Sequence, residues 1–294
     1  MVDEAARERM FRRPQLPVVK MRKRNIKWFA LGLLFSSCVA AGLPIMNDPS
    51  LVMPVPGSYQ LRILAPDLLE VDLINTKPPD PARVATWDFV NASQPRLPSP
   101  QDLLVTAGAQ PVPIQFVGFK RRVAYAPLKQ RDLRIGNCLY LQLAAPIADG
   151  QTVQVQSVTA STWPTNAQFV GTVDPLRLNP AIHVNQVGYL PSFPKRAMVG
   201  YYLGSLGEMN LPASAGFKLV DAKTGAEVYQ GTLKRRPDYG YKYAPLPYQK
   251  VFEADFSSFT NAGEYRLLVP GLGASLPFLV DEGVAMAFAR TYAL

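Results

Sequence analysis

From residue 57 onward, apolar and polar positions alternate with a period of two, and Pro, Gly, Asn or Asp break the pattern at short intervals. Tyr59, Leu61 and Ile63 share one face of a predicted strand, with Gln60 and Arg62 on the other. Val112, Ile114 and Phe116 alternate in the same way, as do Leu139, Leu141 and Leu143, while Val153 and Val155 are spaced by glutamines. Successive strand side chains point to opposite faces, so this is the pattern of half-buried antiparallel strands. Pro78-Pro79-Asp80-Pro81 and Ala148-Asp149-Gly150 supply turn chemistry between them. No helical periodicity of any length interrupts residues 57–172, which read as one β-sandwich of immunoglobulin-like type.

The same logic repeats over 181–282. Phe217 and Leu219 alternate into Asp221-Ala222-Lys223-Thr224-Gly225, a hairpin turn in which Gly225 can take a positive φ. Val228, Gln230 and Thr232 follow on one face. Phe252, Ala254 and Phe256 then oppose Glu253 and Asp255, and Tyr265, Leu267 and Val269 oppose Glu264 and Arg266. Leu276, Phe278 and Val280 form a closing strand, after which Val284, Met286, Ala287, Phe288 and Arg290 suit the first turns of a helix over 283–294. The fold class expected is therefore all-β: two immunoglobulin-like β-sandwich domains in series. Residues 43–56 and 173–180 read as linkers, since Asp174-Pro175 and Asn179-Pro180 bias the chain toward extended conformations.

Composition changes this picture at the N-terminus. The formal net charge is +9, but nine of the 31 Lys/Arg fall in residues 1–42 against three acids. The remaining chain carries 22 basic and 19 acidic residues, too balanced for a phosphate-backbone footprint, so a nucleic-acid partner is excluded. Arg22-Lys23-Arg24 and Lys27 precede an apolar run from Trp28 to Phe35, then small residues up to Ala41. This is the order of an export signal with cleavage before Gly42, so residues 1–42 read as that signal with an N-terminal extension. Met21 begins a complete signal by itself, leaving Met1 and Met21 both open as the start. The uncharged stretch falls short of the roughly 20 residues that span a bilayer. Membrane contact is thus expected only through the signal or a lipid. Leu34-Phe35-Ser36-Ser37-Cys38 resembles a bacterial lipoprotein box, which makes Cys38 a candidate lipidation site. The protein is expected to be exported: periplasmic, cell-surface or extracellular.

Candidate chemistry is sparse. His183 is the one histidine and lies between Ile182 and Val184 in a predicted strand, so no Ser-His-Asp triad or multi-histidine metal centre is expected. Cys38 and Cys138 are the only cysteines, and removal of the signal leaves Cys138 without a disulfide partner. Glu253 and Asp255 stand two apart on one strand face, the spacing of a carboxylate pair, but face solvent opposite a core. Trp163, Tyr239, Tyr241 and Tyr248 offer flat aromatic surfaces that could stack on sugar rings, although period-two Tyr239, Tyr241 and Tyr243 also suit plain strand packing. Gly271-Leu272-Gly273 lacks the third glycine and the helix of a phosphate loop. No catalytic residue, cofactor or metal is expected.

The motifs of the second half belong together. Ile182-His183-Val184-Asn185-Gln186-Val187-Gly188-Tyr189 opens it, followed by the Asp221 to Gly225 turn and Ala254-Asp255-Phe256-Ser257. Gly263-Glu264-Tyr265-Arg266-Leu267 then leads to Gly273-Ala274-Ser275-Leu276-Pro277-Phe278. In this order they resemble the N-terminal immunoglobulin-like domain of family 9 glycoside hydrolases, the cellulases. The resemblance covers about residues 181–290. It implies that the domain packs against an (α/α)6 catalytic barrel, that the helix from Val284 is the barrel's beginning, and that the parent enzyme acts on β-glucan polysaccharides. Family 9 enzymes take their general base from an Asp-Ala-Gly-Asp motif. This sequence contains none, so no catalytic role carries over. The function implied is that of a non-catalytic part of an exported enzyme. A free-standing surface or lipid-anchored binding protein, or a carbohydrate-binding module, are the alternatives that a sandwich fold equally supports.

Overall fold

Almost every regular element is a strand, as the period-two pattern requires. The computed structural model of the protein describes residues 52–76, 87–127, 129, 132–159, 162–163, 166–212, 214–236 and 250–292. In the first half, one sheet runs β1 (Tyr59–Ala65), β2 (Leu68–Thr76), β8 (Arg134–Leu143), β7 (Ile114–Tyr125). The facing sheet runs β10 (Phe169–Thr172), β9 (Thr152–Ser157), β5 (Leu103–Ala107), β6 (Gln110–Pro111). A short ribbon pairs β3 (Val90–Asn91) with β4 (Gln94–Pro95). Ile63, Leu69, Val71, Leu73, Leu139 and Leu141 meet Val105, Val153, Val155 and Phe169 in one core between the sheets. These are the odd-numbered positions that the alternation assigns to one face.

β7 departs from simple alternation in a way that moves an aromatic side chain. Val112, Ile114 and Phe116 read as one face, and Val112 and Ile114 do pack against the core. The ladder slips between them and the next pair, however: Ile114 opposes Leu143, whereas Phe116 opposes Gln142. The extra residue, Gln115, is a β-bulge, and a bulge reverses which face every later side chain takes. Phe116 therefore points away from the core and is 60% exposed.

The second half holds another pair of sheets. One runs β11 (Ile182–His183), β12 (Arg196–Val199), β16 (Phe252–Asp255), β15 (Lys234–Arg235). The other runs β14 (Glu227–Thr232), β13 (Gly216–Asp221), β17 (Gly263–Val269), β18 (Gly273–Ala274), with β19 (Phe278–Val280) also paired to β17. Phe252, Ala254 and Phe256 fill the core from one side, and Phe217, Leu219, Tyr265 and Leu267 from the other. Gly225 takes φ +72 in the expected hairpin turn, where the Asp221 carboxylate accepts hydrogen bonds from the Lys223 and Thr224 N–H groups. The expected helix is present as α1 (Val284–Tyr292).

The core of the second half does not stop at its own strands. Leu64, Leu68, Cys138 and Tyr140, from the outer face of the first sheet, belong to the same buried cluster. Val173, Asn179 and Ala181 on the intervening stretch are buried as well. Asn179 Nδ2 donates to the Leu64 carbonyl at 2.7 Å and to the Leu272 carbonyl at 2.8 Å. Arg177 Nε donates to the Ile63 carbonyl at 2.7 Å, and its Nη2 reaches the Gly271 carbonyl at 2.5 Å. The chain between 173 and 180 is thus hydrogen-bonded to strands on both sides of it.

A second point of attachment is tighter still. The turn at Gly204–Leu206 lies directly on β7, where the Phe119 N–H donates to Ser205 Oγ at 2.9 Å. Gly204 sits at φ +61, and a Cβ there would lie 2.0 Å from the Phe119 carbonyl oxygen. Gly204→Ala should therefore push the turn off β7 and lower stability by more than about 1 kcal/mol. Gly207→Ala, at φ +77 with open space around it, should cost less, and urea unfolding of the two variants measures the difference. Equal losses would show that backbone strain, rather than the contact with β7, governs this turn.

Candidate functional site

The outer face of the first sheet is where its charged residues gather. On β2 the inward Leu69, Val71 and Leu73 alternate with Glu70 and Asp72, which ordinary patterning would leave in water. Glu70 is instead 0% exposed and Asp72 5%. Arg62 on β1 donates through Nη1 to Glu70 and lies 3.6 Å from Asp72 Oδ2. Gln60 Nε2 donates to Asp72 at 3.2 Å. From the second half, Tyr201 Oη donates to Glu70 Oε2 at 2.9 Å. A buried charge must be paired and hydrogen-bonded to be tolerated, and Glu70 is both.

Lys120 on β7 completes this seam. Its ammonium stands 4.4 Å from the centre of the Tyr201 ring and 5.3 Å from that of Tyr140, and it donates to the Tyr202 carbonyl at 2.9 Å. Burial lowers the Lys120 pKa. Burial would also lower that of Arg62, but the Glu70 and Asp72 carboxylates outweigh it and hold the guanidinium firmly charged. Burial first, and then the negative charge of Glu70, push the Tyr201 and Tyr140 hydroxyls far up. The Tyr140 hydroxyl is buried beside Glu70 in this network. The seam therefore sets a guanidinium, an ammonium and two carboxylates against two tyrosine rings in one arrangement.

The second half has its own buried cations. Arg266 is 1% exposed, contrary to its alternating position opposite the core face. Its Nε donates to the Ser275 carbonyl and its Nη2 to the Leu176 carbonyl, both at 2.9 Å. With carbonyls rather than carboxylates as partners, burial lowers its pKa to about 10. Lys195, 0% exposed, donates to the carbonyls of Pro191, Phe193 and Ser257. Both cations tie loops to strands. In the opening motif, the Asn185 N–H donates to Tyr189 Oη, which donates in turn to the Arg196 carbonyl. Gly188, at φ +110, lies so close to β19 that a Cβ would stand 2.8 Å from the Leu279 carbonyl oxygen and from the Val284 side chain.

The residues singled out from sequence fall in several places. Trp163 is 1% exposed and packs edge-on against Phe169, so its ring faces the core and is closed to a sugar. Tyr239, Tyr241 and Tyr248, and also Cys38 and the export segment, lie outside the described residues. His183 is exposed, with Nε2 3.2 Å from the Gly200 carbonyl oxygen. Glu253 and Asp255 share one partner, Arg196 Nε, at 3.3 and 3.4 Å, which makes them part of a surface ion-pair cluster. Among the described residues no cluster of three or more His, Cys, Asp or Glu could hold a metal. No helix among them is long and apolar enough to cross a membrane. Sequence reasoning missed the seam because Glu70 and Asp72 occupy the polar register of an ordinary half-exposed strand. The signal that could have revealed it is the pairing of Arg62 with the acidic positions of the next strand.

Residues 177–274 match the family of cellulase N-terminal immunoglobulin-like domains. Endoglucanase D of Acetivibrio thermocellus is 30% identical over 103 residues, which cover 35% of this chain and 14% of that protein. The chain thus spans a small part of the curated relatives it matches. A solved Bacteroides ovatus structure described as GH9 is 30% identical, covers 37% of this chain and 17% of its own, and has a TM-score of 0.27. A metagenome-derived family 9 endoglucanase is 28% identical over 34% of this chain and 17% of its own, with a TM-score of 0.26. Residues 177–274 are thus similar to the immunoglobulin-like domain associated with family 9 glycoside hydrolases, and α1 is the one α-helix among the described residues.

Removing Glu70 would leave Arg62 only its longer contact to Asp72, at 3.6 Å, and would leave the Tyr201 hydroxyl without its acceptor. Glu70→Ala should therefore destabilise strongly, toward the loss of about 3–5 kcal/mol that follows a broken buried ion pair. Tyr201→Phe, which removes one hydrogen bond to a carboxylate, should cost about 1.5–3 kcal/mol. Chemical denaturation reads both. Cys138 is 1% exposed, and burial, followed by Glu70 and Asp72, raises its pKa far above the ordinary thiol value. The thiol should resist iodoacetamide at pH 8 in the native protein and react once urea unfolds it. Rapid labelling of the native state would show that the seam opens.

Proposed function

We propose that this chain acts as the non-catalytic, N-terminal portion of an exported family 9-type glycoside hydrolase. In this reading two immunoglobulin-like sandwiches, 57–172 and 181–282, stand in series, and the second supports an (α/α)6 barrel that hydrolyses β-glucan. The match over 177–274 carries the reading. The surface beside α1 supports it. Val187, Leu279 and Met286 are about half exposed around Gly188 and Val284, and Phe193 is 60% exposed in the turn after Tyr189. Apolar side chains concentrated in one corner of a domain commonly mark a partner surface. Here the partner is the barrel, with α1 leading toward it. The first sandwich adds a module that the buried seam fixes to the second. Export follows from the signal-like order of residues 22–41.

Two measurements test this. The purified chain should release no reducing sugar from soluble β-glucan, and sustained release would overturn the non-catalytic assignment. The corner at α1 should bind a hydrophobic dye such as bis-ANS, and Leu279→Asp combined with Met286→Asp should reduce that fluorescence about severalfold without changing the unfolding midpoint. Dye binding that the double variant leaves unchanged would remove the barrel-facing role from this surface.

A further inference from the structure

Where the two halves meet, the β-bulge at Gln115 has a consequence beyond register. Leu68, Gln142 and Phe116 stand directly across from one another on β2, β8 and β7, on the outer face of the first sheet. Opposite them lie Leu206, Glu208, Met209 and Asn210 of the second half, and together these groups enclose a cleft of about 380 Å³. Its floor is apolar, and its rim consists of amides and carboxylates around an exposed aromatic ring.

The polar groups on the rim are held in place. Gln142 Nε2 donates to the Asp67 carbonyl and to its carboxylate, at 3.1 and 3.0 Å, which fixes the amide plane. Lys250 Nζ donates to Asn210 Oδ1 at 2.6 Å, and the Lys250 N–H to Glu208 Oε1 at 3.0 Å. The Gln142 carbonyl oxygen and the Asn210 amino group are not used in these bonds. Among the described residues the lining carries no cation, and Asp67 and Glu208 outnumber the one ammonium behind it, that of Lys250. The charge at the cleft therefore disfavours an anionic ligand. Planar hydrogen-bonding side chains beside an aromatic face instead suit a neutral polyol ring, which presents hydroxyls at its edge and C–H groups on its faces.

We propose that this cleft is a subsite for a pyranose unit of a neutral glycan, with Phe116 as the stacking face and Gln142 and Asn210 as hydrogen-bonding groups. The subsite stands on the cleft's own chemistry. Only the choice of a β-glucan as its natural ligand rests on the proposed function.

Isothermal titration of the whole chain with cellohexaose, xylohexaose and maltohexaose tests it. At least one should bind, and Phe116→Ala should weaken that binding about tenfold or more. Val123→Ala, 59% exposed on the same strand but outside the cleft, should leave it unchanged, and so should the unfolding midpoint of every variant. Asn210→Ala should weaken binding without abolishing it. Binding of maltohexaose alone would support the subsite while counting against a β-glucan parent. No binding of any hexasaccharide, or binding that Phe116→Ala leaves intact, would overturn the proposal. Neither result would touch the dye measurement at α1.

Discussion

A sheet that carries glutamate, aspartate and arginine on its outer face has two ways to remain folded: leave those charges in water, or bury them together. This protein buries them. Glu70 is fully enclosed, and Arg62, Asp72, Tyr201 and Lys120 surround it so that each charge meets an opposite charge, a hydroxyl or an aromatic face. Desolvating such a set is expensive, and packed hydrocarbon would serve stability as well or better. What the seam adds is geometric demand. Tyr201 satisfies Glu70 in one placement of the second half, so a sliding or rotated contact would leave the carboxylate short of a partner. Lone buried charges are costly enough to make alternative dockings unfavourable.

The seam works together with the chain segment that joins the halves. Asn179 and Arg177 each bond carbonyls from both sides, linking Ile63 and Leu64 to Gly271 and Leu272. Arg266 holds the same segment from beneath through the Leu176 carbonyl. The turn at Gly204–Leu206 then clasps β7 from the far side. With attachment at several points, the two pairs of sheets share a hydrophobic cluster instead of meeting at a wet contact. A rigid arrangement of this kind suits a supporting element, whose task is to hold a surface in place. It is also what gives the cleft beside Phe116 two walls, one from each half.

Much of this was legible in the chain. The period-two runs predicted an all-β protein, and Phe252, Ala254 and Phe256 face the core as their alternation requires. The Asp221 turn formed around Gly225, and the helix began at Val284. The motif run from Ile182 to Phe278 resembled the cellulase-associated domain that the family match over 177–274 identifies. These features are local, or depend on a face being inside or outside, and a strand's periodicity carries that information directly.

Other features were not local. Alternation placed Arg62 and Arg266 on faces opposite a core, because it reports which residues share a face and not what covers it. It placed Phe116 with Ile114, because one bulged residue reverses a face without any change in composition. Of the two roles an aromatic ring at Trp163 could take, sugar stacking or packing, the structure shows packing in a core. The sequence by itself determined the strands, the turn and the kinship of the second half. Only the tertiary structure decided which polar face would be buried, since that depends on a second sheet pair arriving with Tyr201 in hand.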